Sequence, residues 1–345
     1  MDKILFFDST MRDGSHAISH KIGAGTIRDY CQKADNSGLY TVIVGHGNGL
    51  GASSLQIGLS AISDAEMITT ARGELKNTKL GAFLIPGFGT IKDDLGPALD
   101  NGVDTVSIAS HCTEADITKQ HIKYVRKYGK EAYGVLMMYH MATSDRLLEE
   151  AFKMQDYGAL GVILMDSAGA SVPDMVSECV KKLADNLDIR VGFHAHNNLG
   201  LAVANSYTAI KSGATIIDGT IRGFGAGAGN CQLEVLAGLL AKLKVDTGLN
   251  LYQLMDLSED VIAKITPQGV SSISLISGLA GVFSGFAPHV KKAAERFGVD
   301  PRDIFMELGR RKMVAGQEDF IVDVAMYLSQ KKELGNINYE IESLL

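Results

Sequence analysis

The sequence predicts a (β/α)8 barrel, the TIM-barrel fold, followed by a helical C-terminal domain. Three observations carry this. Short apolar runs of strand length alternate with longer helical stretches through the first two-thirds of the chain. Glycine recurs where a helix must stop before the next strand, at Gly38, Gly102, Gly158 and Gly213. After about Lys244 the strands cease and only helical patterns remain.

The strands are expected at residues 4–8, 41–45, 80–85, 105–109, 132–138, 161–165, 191–194 and 216–219. Helical stretches fall between them at 24–36, 63–75, 91–100, 117–127, 144–156, 173–184 and 199–211. Asn36-Ser37-Gly38, Asp156-Tyr157-Gly158 and Lys211-Ser212-Gly213 are three copies of one helix-ending signal. Eight strand–helix units match the size of a barrel of ~250 residues, and no fixed-period repeat points to a solenoid. Beyond them, helices are expected at 249–264, 288–297, 301–308 and 319–331, the third with Asp300 capping and Pro301 in its first turn. The division is therefore a barrel over residues 1–249 and a helical domain over 250–345.

Composition narrows the partners. The 345 residues carry a formal charge of −7 without a basic run, which argues against nucleic acid and anionic membranes. Cys31, Cys112, Cys179 and Cys231 are scattered with no CxxC pair, the pattern of reduced thiols in a cytosolic protein. Asp2 and Lys3 lead straight into a strand, with no signal-peptide pattern, and no apolar run approaches the ~20 residues of a membrane span. A soluble, cytoplasmic protein is expected.

The chemistry concentrates at two strand ends. Just after the first strand, Arg12, Asp13 and His16 supply a fixed cation, a carboxylate and a titratable base within five positions. At the end of the seventh, His194 and His196 stand two residues apart, so both face one side of the strand. In a barrel that side is the interior, and the strand end is the catalytic rim. Two imidazoles and one carboxylate with positions left open make a catalytic rather than a structural metal site. Arg12 beside it suits a substrate carboxylate or a developing enolate oxygen, and His16 is placed to move a proton.

Two glycine-rich stretches follow strands. Residues 223–230 lack the Gly-Lys-Ser/Thr ending of a P-loop and read as a tight loop that lets backbone approach a ligand. Asn230 at its end either completes the metal shell or caps the next helix. Gly47-Asn48-Gly49-Leu50-Gly51-Ala52 resembles a dinucleotide fingerprint, but the next strand ends Leu84-Ile85-Pro86 without the acid that would hold a ribose.

Thr10-Met11-Arg12-Asp13-Gly14, His194-Ala195-His196-Asn197-Asn198-Leu199-Gly200 and residues 223–230 resemble the DRE-TIM metallolyase superfamily. Within it, Asp13-Gly14-Ser15-His16-Ala17-Ile18, Asp166-Ser167-Ala168-Gly169 and Glu307-Leu308-Gly309-Arg310-Arg311-Lys312 are similar to 4-hydroxy-2-oxovalerate aldolases. The resemblance implies a divalent metal, usually Mn2+, on Asp13, His194 and His196. It further implies Arg12 on the pyruvyl part of the substrate, His16 as acid/base and Ser167 near the substrate carboxylate. The implied reaction is retro-aldol cleavage of a 4-hydroxy-2-oxoacid to pyruvate and an aldehyde. The implied partner is an acylating aldehyde dehydrogenase that takes up the aldehyde, and an oligomeric assembly is expected. The sequence departs from the pattern twice: Ile43 replaces the acidic residue of the second strand, and Phe283 replaces a tyrosine near the active site. Phe83 and Ile85, at the rim of the third strand, would supply an apolar wall. Two further readings share these residues: an acyl-CoA/2-oxoacid condensing enzyme of the same superfamily, and a non-catalytic metal-binding partner subunit.

Overall fold

The computed structural model describes residues 3–265 and 272–333. Eight strands form a closed parallel barrel: β1 (Leu5–Asp8), β2 (Thr41–Ile43), β3 (Lys79–Leu84), β4 (Thr105–His111), β5 (Glu131–Met137), β6 (Gly161–Asp166), β7 (Arg190–Ala195) and β8 (Ile216–Gly219). The ring closes where β8 pairs with β1, in the register Phe7 to Asp218. Around it run α1 (Ala24–Ala34), α2 (Asp64–Glu74), α3 (Gly96–Asp100), α4 (Lys119–Lys127), α5 (Ser144–Asp156), α6 (Pro173–Ala184), α7 (Ala202–Lys211) and α8 (Leu233–Lys242).

Strand alternation builds two concentric layers. Phe6, Val42, Ala82 and Phe193 point outward into the shell of helices, against residues such as Ile27, Tyr30 and Ala71. Leu5, Phe7, Ile43, Phe83, Ile163, Met165 and Ile216 fill the interior, so the barrel is a packed core and not a pore. Ile43 meets Gly81 of the neighbouring strand there, where a Cβ would come within 2.7 Å of it.

The expected elements are present, with shifts at their ends that have local causes. Glycines close helices in the left-handed region, as at Gly158 (φ +100°) and Gly213 (φ +108°), whereas α1 already ends at Ala34, before Gly38. The helix expected at 91–100 is a π-helical turn, Ile91–Leu95, followed by α3, because Pro97 has no N–H to continue the ladder. The pattern expected from 199 starts helically only at Ala202, after Asn197 Oδ1 has accepted from Ala202 N at 3.1 Å. The eighth helix, counted in the sequence without bounds, is α8, and α10 (Ser272–Ala280) is an addition that the periodicity did not mark. Their apolar residues surround the axis instead of lining one face, as Val235 shows, left 46% exposed on α8.

The remaining helices are α9 (Leu251–Asp260), α11 (Ala287–Phe297), α12 (Pro301–Arg310) and α13 (Phe320–Glu333). Of the domain expected over 250–345, residues 266–271 and 334–345 lie outside the described residues. Leu254 and Leu257 of α9, with Val261 and Ile262 after it, belong to the barrel's core. A second core, with Val282, Phe286, Val290, Phe305, Leu308, Ile321, Val324 and Leu328, lies within α11, α12, α13 and the turn before them. Polar contacts join the two bodies: Asn198 donates to Ser277 Oγ at 2.6 Å and to Ser284 Oγ, and His140 Nε2 lies 3.1 Å from the Gly281 carbonyl. Among the described residues no helix is long and apolar enough to cross a membrane.

Candidate active site at the barrel mouth

The chain leaves β1 through a braced turn. Buried Asp8 accepts from Thr10 N at 2.9 Å and from the Tyr30 hydroxyl on α1 at 2.6 Å. Burial pushes its carboxyl up to about 6. Thr10 Oγ1 in turn accepts from Ile221 N at 2.8 Å, tying this turn to the end of β8. The brace delivers Arg12 and Asp13, each 3% exposed, into the barrel mouth.

Asp13 is held from both sides. Its Oδ1 accepts from Arg12 Nη1 at 2.8 Å, and its Oδ2 from Asn230 Nδ2 at 2.6 Å and from Ala226 N at 3.1 Å. Burial opposes its ionisation, but Arg12 and the imidazoles of His196, His16 and His194 outweigh burial and hold the carboxyl well below its usual range. Because Phe193 and Ala195 face the helices, the alternation turns His194 and His196 inward. Their ring centroids are 5.1 Å apart. One ligand atom from each of Asp13, His194 and His196 falls within 4.8 Å of the others.

Asp218, an inward residue of β8 paired in register with His194, supports the group from behind. Its Oδ1 accepts from Ser9 Oγ at 2.8 Å, and its Oδ2 lies 3.0 Å from His194 Nδ1, in ion-pair range though out of hydrogen-bond alignment. A carboxylate on one ring nitrogen fixes which nitrogen faces the centre, the usual arrangement behind a metal-ligating histidine. Sequence analysis did not single out Asp218. Its signal was parity, since it stands two residues after inward Ile216.

The donor set passes a direct chemical test for a divalent cation. His194 Nε2, His196 Nδ1 and Asn230 Oδ1 are buried and have no hydrogen-bond partner among the described residues, an expensive condition unless something accepts their lone pairs. Burial lowers His196 to about 4, so it is neutral at physiological pH, the form able to ligate a metal.

The other candidates divide. Arg12 lies over the Phe83 ring at 4.4 Å, with its buried Nε–H unpartnered among the described residues. Ile85 is half-buried against the same interior group as Phe83. His16 is half-buried and rests on Gly47, where a Cβ would come 2.4 Å from its Nε2. Burial lowers its pKa against the pull of Asp13. Ser167 is 3% exposed, and its Oγ accepts from Met138 N at 3.1 Å. Phe283 has its ring edge-on to Phe286 at 5.8 Å and packs on the second core. Only its neighbour Ser284 reaches Asn198.

The glycine-rich loop has a steric reason. A Cβ on Gly225 would lie 2.6 Å from Asp13 Oδ2 and 2.5 Å from Asn230 Nδ2. Gly225→Ala should therefore displace the carboxylate and weaken divalent-ion binding by ~10-fold or more, a loss typical of disturbed outer-shell contacts, with little change in melting temperature. Isothermal titration of the apo variant with Mn2+ checks this, and wild-type affinity would refute it.

Comparisons with known proteins agree with this geometry. The HMGL-like family model matches residues 3–261, and the DmpG-like communication domain matches residues 268–330. The 4-hydroxy-2-oxovalerate aldolase of Spirochaeta aurantia is 54% identical over 95% of this chain and 97% of its own. The 4-hydroxy-2-oxovalerate aldolase 2 of Salinispora arenicola is 50% identical over 98% of this chain and 97% of its own. Among solved structures, the carboxyl transferase domain of Rhizobium etli pyruvate carboxylase, with pyruvate and biocytin, superposes with a TM-score of 0.81 at 15% identity. That match covers 96% of this chain and 61% of that one, a likeness of fold alone. With the HMGL-like match spanning the barrel and near-full-length relatives at half identity or better, the chain belongs to the 4-hydroxy-2-oxovalerate aldolase family.

Proposed function

We propose that the chain is a cytoplasmic, divalent-metal-dependent aldolase that cleaves 4-hydroxy-2-oxoacids to pyruvate and an aldehyde. The observation that carries the reading is the buried meeting of Asp13, His194 and His196 with Arg12 alongside, in a chain half identical to named aldolases. Asp13, His194 and His196 would hold the cation, with Asn230 in reach of the same shell and Mn2+ the ion favoured by the family resemblance. Once bound, the ion supplies Lewis acidity toward the 2-oxo acid end of the substrate.

The chain's own residues do the rest. The unpartnered Nε–H of Arg12 is a buried, permanently charged donor for the substrate carboxylate or the enolate oxygen. Phe83 keeps water from one face of that guanidinium. His16, neutral because burial lowers its pKa, accepts the proton of the 4-hydroxyl as the C3–C4 bond breaks. The bonding pair moves into the enolate, the C4 alkoxide becomes the aldehyde carbonyl, and reprotonation at C3 releases pyruvate. Stabilising the developing charge with preformed donors is worth several kcal/mol, on the order of other oxyanion sites. Ser167 and Ile85 belong to the proposed substrate wall. An acylating aldehyde dehydrogenase is the proposed partner, supported by the match to the communication domain, and the assembly is proposed to be oligomeric.

The test is pyruvate release from 4-hydroxy-2-oxopentanoate, with and without added Mn2+. Metal-stimulated release is expected. A protein that binds Mn2+ yet releases no pyruvate from substrates of any chain length would favour the non-catalytic partner reading, and thiol release from acyl-CoA would favour the condensing one.

Phe283 carries a second expectation. In the family resemblance a tyrosine stands there, and phenylalanine keeps the ring while deleting the hydroxyl donor. Phe283→Tyr should raise kcat/KM on 4-hydroxy-2-oxopentanoate and sharpen the preference for one 4-hydroxy enantiomer, by a few-fold for a single polar contact. Chiral analysis of residual substrate reads this out, and an inert substitution would remove Phe283 from the substrate wall.

A further inference from the structure

Gly47 is where the loop after β2 meets the loop after β1. Its carbonyl accepts from Arg12 Nη1 at 3.2 Å, and its Cα lies directly beneath the His16 ring, where a Cβ would clash. Its N–H donates to His20 Nδ1 at 3.4 Å. His20 lies face to face on His46, with centroids 3.7 Å apart and planes 16° from parallel. It also meets His16 edge-on at 4.9 Å and 70°.

His46 is fixed through both nitrogens. Nδ1 accepts from Asn48 N at 3.0 Å, and Nε2 lies 3.1 Å from the Gly58 carbonyl, which only an N–H can approach usefully. These partners require the neutral Nε2–H tautomer. The acceptor role of His20 Nδ1 puts its proton on Nε2 as well. Burial, with the neighbouring imidazoles, lowers His20 to about 3 and His46 to about 4. Both rings stay uncharged at physiological pH, so neither adds a repelling cation beside Arg12.

We propose that His20 and His46 are positioning residues for the aldolase reaction: a stacked imidazole pair that clamps the Gly47 peptide and through it sets Arg12 and His16 against the Asp13, His194 and His196 group. Gly47 joins three parts of the mouth with one peptide unit. Its N–H is held by His20, its carbonyl holds Arg12, and its bare Cα seats His16. His46 holds His20 from behind, and Gly58, where a Cβ would come 2.6 Å from His20 Cδ2, closes the stack. The inference rests on the aldolase reading for its kinetic consequence but not for its geometry.

The test uses the full-length protein, loaded with Mn2+ for the kinetics and with diamagnetic Mg2+ for the NMR, and three substitutions. His20→Phe keeps the stacking ring and removes the acceptor. His20→Asn places an amide oxygen near the lost Nδ1. His46→Phe loosens the pair from behind. Each is assayed for kcat and KM in pyruvate release, metal content and melting temperature, and for the His16 imidazole signal by 15N–1H NMR. His20→Phe should lower kcat by ~10–100-fold, the cost expected when catalytic groups lose about an ångström of alignment. Its His16 signal should shift or broaden, while metal content stays at the wild-type level. His20→Asn should recover a large part of that loss, and His46→Phe should fall between the wild type and His20→Phe. Wild-type kcat and an unchanged His16 signal in His20→Phe would overturn the proposal. So would a His20→Asn protein no better than His20→Phe, since ring shape alone would then matter. If His20→Phe fails to fold, His46→Phe decides by the same two readouts. A wild type that releases no pyruvate would remove the aldolase reading, yet the His16 signal would still test the clamp.

Discussion

His16→Ala is expected to lower kcat for pyruvate release by ~10²–10⁴-fold, the range for removal of a general base, with metal content unchanged. His16 is a half-buried base in the mouth beside, but not part of, the Asp13, His194 and His196 ligand set, and burial keeps it neutral and ready to accept a proton. Its seat on Gly47 gives it one orientation. Alanine removes the proton acceptor and leaves Arg12 and the carboxylate–imidazole group in place, so the loss should fall on kcat more than on KM. Arg12→Lys makes the complementary case. Arg12 reaches Asp13 at 2.8 Å, Gly47 O at 3.2 Å and Ser9 Oγ at 3.3 Å at once. An ammonium on a flexible stem cannot reproduce that fork. Arg12→Lys should therefore be nearly as impaired as Arg12→Ala. Stopped-flow pyruvate detection with metal analysis on the same samples checks both, and His16→Ala within three-fold of wild type would remove His16 from the mechanism.

Exhaustive chelation is expected to reduce pyruvate release to background, with Mn2+ restoring it best among divalent ions. The orphaned lone pairs of His194 and His196 are the reason. Carboxylate and imidazole donors accept several divalent ions, so Mg2+ or Co2+ should restore part of the rate. Asp218→Asn separates holding the ion from orienting its ligands. The amide keeps the size of the carboxylate and loses the charge facing His194 Nδ1 at 3.0 Å. Metal affinity should drop by ~10–100-fold, as for other outer-shell losses, and excess Mn2+ should rescue the rate. Full activity in protein shown by elemental analysis to be metal-free would refute both expectations.

How far these conclusions were readable beforehand depends on the range of the interaction. The barrel was readable because its signals are local: strand-length apolar runs, and glycines such as Gly158 that end helices with φ +100°. The convergence of Asp13 with His194 and His196 was readable because strand parity and rim position turn a one-dimensional spacing into a direction. His20 and His46 were not readable. Their stack joins two loops, and neither loop has a period that would aim a side chain. Asp218 lay between these cases, marked by parity but indistinguishable in type from a solvated strand-end acid. Helix α8 could be counted but not bounded because it is apolar on most sides, and amphipathic contrast is what a periodicity reading detects.

The seam between the barrel and the helices after it has a thermodynamic consequence. Apolar side chains are gathered in two separate cores, one around the barrel and α9, the other within α11, α12 and α13. What joins them includes an amide, two serine hydroxyls and the contact of His140 with the Gly281 carbonyl. Such hydrogen bonds contribute about 1 kcal/mol each, because water replaces them when they break. Cooperative melting requires that losing one part expose apolar surface of the other, and among the described residues the two cores are separate clusters. Heat should therefore unfold the molecule as two partly independent units, with a calorimetric enthalpy that exceeds the van't Hoff value.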